Sequence, residues 1–239
     1  GEVRAEDRSS PLMKGRIGRR GRSGEEGDEL VGGGAQQRDE KGNNRARVSS
    51  LMSDLGEAVP ATTINRWCAS SAQAIISAAD AIRAGQRDVL IAGGVENMSR
   101  VPMGQNNAVH PGLNDHHNIA ALQMGMTAEK VSDRHDISRE EQDEYAARSQ
   151  QRAAAATESG RFAEEIVPIE TDEGTVETDE GIRPGTTAEK LAGLSPVFKS
   201  DGTVTASNAS QISDGASATL LASREFARDH GPVSYAHLR

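Results

Sequence analysis

The sequence predicts an α/β fold with parallel strands, and three consecutive segments carry that prediction. Residues 61–67 are β-compatible, with Thr62, Thr63 and Ile64 in a row. Residues 69–84 read ASSAQAIISAADAIRA and stop at Gly85, a helix with a glycine C-cap signal. Residues 88–92 (DVLIA) form a short apolar run ending at Gly93-Gly94, the pattern of a buried strand. Strand, helix and strand at these lengths make a βαβ unit, whose crossover joins parallel strands. Small Ala and Ser side chains on several faces of the helix allow close approach of neighbouring backbones, so the helix is expected at the centre of its domain.

The other elements follow in chain order. Residues 1–50 are polar. The stretch 16–24 (RIGRRGRSG) reads as a solvated loop, and Glu25, Glu26, Asp28 and Glu29 directly after it oppose a nucleic-acid-binding arm. Gly32-Gly33-Gly34 also reads as a loop; it lacks the lysine and spacing of a phosphate-binding P-loop. Residues 96–137 are expected to be irregular, with Pro102, Gly104, Asn106, Asn107, Pro111, Gly112 and Asn114, and a loop this long is usually functional. Ser138-Arg139-Glu140-Glu141 is a capping box opening a helix to about Glu158, stopped at Gly160. Tyr145, Ser149 and Ala153 recur at i+4 on it, an amphipathic packed helix. Residues 162–170 are expected as a strand, 172–185 as an acidic loop turning at Pro184-Gly185, and 203–206 and 216–222 as two further short strands.

Composition bounds the function. The 239 residues suffice for one large domain or two small ones. With 27 basic and 36 acidic residues the net charge is −9, which argues against a nucleic-acid or anionic-membrane binder. No run approaches the ~18–20 apolar residues of a membrane span. The N-terminus has no apolar leader, so no signal peptide is visible and a cytoplasmic location is expected, while the start at Gly1 in place of Met hints at a missing upstream segment. Aromatic residues are 3% and hydrophobic ones 35%, so the core must be built from Ala, Val, Ile and Leu, and the charge excess fits either disorder or a salt-adapted soluble enzyme. One cysteine excludes an internal disulfide and a thiolate zinc cluster. His110, His116 and His117 lie in a solvated loop, and no metal is expected.

That cysteine, Cys68, sits where the β-like run gives way to the helix. Free N–H groups and the positive dipole end there stabilise a thiolate. Position alone leaves two readings open, a small buried hydrophobe or an exposed nucleophile on a sharp strand-to-helix turn.

The order of motifs adds to this reading. Asn65-Arg66-Trp67-Cys68-Ala69-Ser70 with Gln73-Ala74-Ile75, Ala92-Gly93-Gly94-Val95-Glu96-Asn97-Met98-Ser99, Met124-Gly125-Met126-Thr127-Ala128-Glu129, residues 138–153, 162–168 and Asp179-Glu180-Gly181-Ile182-Arg183-Pro184 follow one another along the chain. Pro196-Val197-Phe198-Lys199 and residues 202–210 with Asp214-Gly215-Ala216 close the series. In this order they resemble the thiolase family, densely over residues 43–222. Ser71 stands where the motif usually has glycine, and Gln123 where many biosynthetic members have histidine.

The resemblance implies one half of the thiolase αβαβα layered sandwich with an inserted loop domain. Residues 1–99 would be the N-terminal half without its first strand, 100–213 the coenzyme-A-binding loop domain, and 214–239 the return to the N-terminal half. It implies an acyl-CoA acyltransferase in which Cys68 takes the acyl group as a thioester. Met124, Phe198, Ala206 and Ser210 would lie along the pantetheine, and Arg183 near the nucleotide phosphates. Acyl-CoA and coenzyme A would be substrates, with no other cofactor, and a homodimer or tetramer would be expected. The family's histidine in Gly-His-Pro and second cysteine in Cys-x-Gly-Gly-Gly do not occur in these residues. An inactive N-terminal half is therefore expected, with a non-catalytic acyl-CoA-binding or scaffold subunit of a heteromeric assembly as the alternative and a damaged gene product as the third reading.

Overall fold

The computed structural model describes residues 3–9, 11, 27–104 and 109–230. The basic stretch 16–24 and the C-terminal segment 231–239 lie outside them. Two compact units divide the chain: residues 1–105, 167–177 and 213–239 form one, and residues 106–166 and 178–212 the other.

The first unit is a four-stranded sheet in the order β2-β1-β3-β6, with β1 Glu29–Gly33, β2 Ala61–Ile64, β3 Val89–Asn97 and β6 Asp214–Ala222. Strands β1, β2 and β3 are parallel, and β6 runs antiparallel to β3. The parallel βαβ prediction holds with one correction: β2 and β3 are not neighbours, because β1 lies between them. The Gly32–Gly33 stretch expected as a loop is thus strand, paired on both sides. Its glycines leave room for packing from above.

Alternation along these strands fills two apolar layers. Leu30, Ile91 and Ala218 pack with Ala46, Leu55 and Val59 on one face. Val31, Leu90 and Ala92 pack with Ala74 and Ala78 on the other. The first layer is closed by helix α1, Arg45–Leu51, and the second by α2, Ser70–Arg83. Asn44 caps α1, accepting from the Arg47 amide at 3.2 Å, and donates to the Ala61 carbonyl on β2 at 2.7 Å. Helix α2 buries a single stripe, Ser70, Ala74 and Ala78, while Ala72, Ile76 and Asp80 are exposed, so within this unit it covers one face of the sheet and is not enclosed on several faces as expected; Gly85 turns the chain away with φ +68°.

The polar early segment contributes buried charges. Lys41 and Arg45 are buried, Lys41 against the Glu96 carboxylate and Arg45 Nη1 3.0 Å from Glu6 Oε1. Pairing of this kind lets charged residues occupy an interior. A short hairpin of β4, Ile169–Thr171, and β5, Gly174–Val176, belongs to this unit. It replaces the strand expected over 162–170, of which residues 162–165 are turns and only 169–170 are strand.

The second unit is built on α3, Met124–His135, and α4, Arg139–Glu158, with the short helix α5, Ala188–Ala192. Helix α3 corrects the expectation that 96–137 is irregular. The capping box of α4 is formed: Ser138 Oγ accepts from the Glu141 amide at 3.2 Å, and Glu141 accepts from the Ser138 amide at 2.8 Å. The helix ends at Glu158, with Gly160 at φ +72°. Its buried face is Asp143, Ala147 and Ala154, whereas Tyr145, expected on the packed face, is exposed and lies beside Arg148. The strand expected at 203–206 is only an isolated bridge between Pro196 and Thr205.

Candidate functional site

In the first unit Cys68 is exposed on the turn between β2 and α2. The residue before it, Trp67, has φ +50° and is 60% exposed. A left-handed conformation at a bulky residue persists only where its surroundings impose it. Both flanks do so here. Asn65 Oδ1 accepts from the Trp67 amide at 3.0 Å, and the Asn65 amide group donates to the Ala35 carbonyl at 3.0 Å. Ser70, buried at the first turn of α2, accepts from the Arg66 amide at 2.9 Å and donates to the Trp67 carbonyl at 2.5 Å. Cys68 is held outward between these two anchors.

The sheet beneath is shaped to receive the turn. A β-carbon on Gly33 would stand 2.5 Å from the Ser70 carbonyl carbon and the Ser71 nitrogen. Glycine at the end of β1 therefore lets the start of α2 rest directly on the sheet. Ser71, which departs from the family pattern, lies over Gly94: its hydroxyl occupies the space that a side chain there would need.

In the second unit the remaining predicted residues fall into two linked groups. The Phe198 ring lies against Gly125, where a β-carbon would overlap it. Phe198 is thereby placed beside Met124, the exposed first residue of α3. The segment carrying Phe198 folds back on itself: the Val197 amide donates to the Val204 carbonyl at 3.0 Å, and Ala206 follows directly as an exposed residue. Ser210 and Arg183 are both exposed. Gln211, next to Ser210, donates to the Gly181 carbonyl at 2.8 Å, and the Arg183 amide donates to Gln150 at 2.8 Å. Among the described residues the Arg183 guanidinium makes no ion pair, leaving its fork of donors open to an anion.

Sequence reasoning missed the groups that hold these positions. Glu129 and Asp143 are buried carboxylates, and Asn208 links Asp143 to the Thr203 carbonyl at 3.2 and 3.0 Å. Asp143 also accepts from Arg139 at 2.7 Å, and Arg139 donates to the Leu191 and Leu194 carbonyls. Among the described residues no group of three His, Cys, Asp or Glu side chains could hold a metal, and no helix is long and apolar enough to cross a membrane.

Comparison with known proteins supplies the family. The 3-ketoacyl-CoA thiolase of Erwinia tasmaniensis is 46% identical over 99% of this chain and 63% of its own length. That of Pseudoalteromonas translucida is 48% identical over 95% of this chain and 60% of its own. The chain therefore spans less than two thirds of these relatives. The crystal structure of the Bacillus anthracis acetyl-CoA acetyltransferase matches with a TM-score of 0.83 at 37% identity, over 97% of this chain and 63% of that one. Human mitochondrial 3-ketoacyl-CoA thiolase in complex with CoA matches with a TM-score of 0.84 at 36% identity, over 96% and 61%. The family model described as the thiolase N-terminal domain matches residues 1–225, and the chain belongs to the thiolase family.

Proposed function

We propose that this chain carries the acyl-accepting and coenzyme-A-binding parts of a thiolase-type acyltransferase, for thiolytic cleavage of 3-oxoacyl-CoA or the reverse Claisen-type condensation. The observation that carries the reading is the Cys68 turn, an exposed thiol beside a left-handed residue pinned by Asn65 and Ser70. In the half-reaction, Cys68, its proton released to solvent, attacks the thioester carbonyl of acyl-CoA as the thiolate. The bond to the coenzyme sulfur breaks, coenzyme A leaves as the thiolate, and the acyl group stays on the protein as a thioester.

The reading divides the chain into an N-terminal half over 1–99, a loop domain over 100–213 and a return over 214–239. The loop domain binds coenzyme A, with Met124, Phe198, Ala206 and Ser210 along the pantetheine and Arg183 at the phosphates. The CoA-bound human relative and the exposure of these side chains support it. A homodimer or tetramer in the cytoplasm belongs to the same proposal and rests on the family resemblance. The 239 residues contain one cysteine and no Gly-His-Pro, so we propose that they do not turn over by themselves.

The test is incubation with acyl-CoA followed by peptide mass spectrometry. An acyl adduct at Cys68, absent in Cys68→Ser, is the expected result. Coenzyme A binding without an adduct would leave the non-catalytic acyl-CoA-binding subunit as the better reading. Steady-state thiolysis by the chain alone would overturn the claim that it does not turn over.

A further inference from the structure

We propose that Glu129 is a positioning residue for coenzyme A, its buried carboxylate clasping the 198–206 turn onto helix α3 and so setting Met124, Phe198 and Ala206 in register. This inference rests on the reading above, that those three residues contact the coenzyme. Glu129 is only 2% exposed, and both its oxygens are committed to one loop. Oε1 accepts from the Thr203 and Val204 amides at 3.1 and 2.9 Å, and Oε2 from the Thr203 amide and hydroxyl at 2.9 and 3.2 Å.

The clasp belongs to a continuous face. Gly125, Glu129 and Ser132 are the buried residues of α3, spaced one turn apart. Gly125 takes the Phe198 ring, Glu129 the Thr203–Val204 amides, and Ser132 the Thr203 hydroxyl at 3.2 Å. Gln142 of α4 reaches the same hydroxyl at 2.9 Å. Gly202 completes the fit, since a β-carbon there would overlap the Glu129 carboxylate.

Burying a carboxylate costs free energy that an aliphatic side chain would not. What the carboxylate adds is direction: charge-assisted hydrogen bonds fix the loop at one register, where apolar packing allows sliding. The loop so fixed holds Phe198 on one arm and leads into Ala206 on the other, and α3 begins at Met124.

The experiment measures coenzyme A affinity by calorimetry for the wild-type chain, Glu129→Gln, Gly202→Ala and the double variant. Each single variant is expected to weaken binding about 10-fold, the worth of roughly one charged hydrogen bond. The double variant is expected to lose no more than either single one, because both break the same contact. In the wild-type chain, coenzyme A is also expected to slow hydrogen exchange at the Thr203 and Val204 amides, a measurement that needs no variant to fold. Unchanged affinity in a folded Glu129→Gln, additive losses in the double variant, or exchange at those amides unaffected by coenzyme A would each overturn the clasp. A wild-type chain that binds no coenzyme A would instead overturn the underlying reading, and the clasp's role with it.

Discussion

Around the β1–β3 sheet, Leu30 and Ile91 face one helical layer while Val31 and Leu90 face the other. On α3 and α4, the interior positions include Glu129, Ser132 and Asp143, with Ala147, Ala154, Leu191 and Val204 as the buried apolar residues nearby in sequence or contact. The sheet of the first unit is thus built by removing apolar area from water, with the buried ion pairs of Lys41 and Arg45 at its margin, whereas the interior of α3 and α4 is organised around buried polar groups. Burial of area is nearly indifferent to direction and pH. A buried network is directional, and it fails as soon as one partner is lost. The Cys68 turn draws on both kinds of support, the sheet beneath it and the hydrogen bonds of Asn65 and Ser70, and the proposed coenzyme-binding residues stand on the second.

The largest expected effect tests the apolar unit. Leu90 is fully buried at the centre of its layer, so Leu90→Ala should cost about 2–5 kcal/mol in urea unfolding. A loss under about 1 kcal/mol would mean that the layer repacks, and the contrast with the second unit would weaken.

The next effect tests the polar unit through pH. Burial pushes the Glu129 pKa up, but the Thr203 and Val204 amides and the Thr203 hydroxyl more than offset this, leaving it below the usual carboxylate value. A carboxyl depressed in the folded state stabilises above its unfolded pKa, and that contribution is lost as pH falls through the folded value. Glu129→Gln should therefore cost about 1.5–3 kcal/mol near neutrality and show a shallower loss of stability on acidification. An acid limb as steep as wild type would assign the pH response to other carboxylates.

Gly33→Ala asks whether the Cys68 turn depends on the sheet beneath it. The added methyl meets backbone rather than a movable side chain, so a cost of about 1–3 kcal/mol is expected, with a changed alkylation rate at Cys68. Ser138→Ala removes the N-cap of α4 and should cost about 1 kcal/mol by thermal unfolding.

What the sequence made legible follows the same division. Helix α2 and its Gly85 stop, α4 with its capping box, and the parallel crossover were readable because propensity, caps and apolar pattern agree there. Strand β1 was hidden because Gly32 and Gly33 signal a loop, although Gly32 makes room for Ala46 of α1 and Gly33 for the start of α2. Helix α3 was hidden for a different reason. Its buried stripe is glycine, glutamate and serine, so no apolar period marks it, and the Pro and Asn residues before it signal irregular chain. Cys68, Met124, Arg183, Phe198, Ala206 and Ser210 were named from motif order, whereas Glu129, Asp143 and Asn208 could be found only from the contacts they make.

The smallest effect sharpens the contrast at Cys68 itself. If the turn is imposed by Asn65 and Ser70 together with the glycine-lined sheet, the exposed indole of Trp67 contributes little to holding it. Asparagine tolerates the left-handed region better than tryptophan, and the Trp67 amide that Asn65 accepts from is retained in any substitution. Trp67→Asn should then change stability by no more than about 0.5 kcal/mol and leave Cys68 alkylation at the wild-type rate. Asn65→Ala, by contrast, removes the acceptor that fixes the left-handed residue and should alter that rate. Equal effects from the two would show that the indole, not the anchoring hydrogen bonds, sets the direction of the thiol.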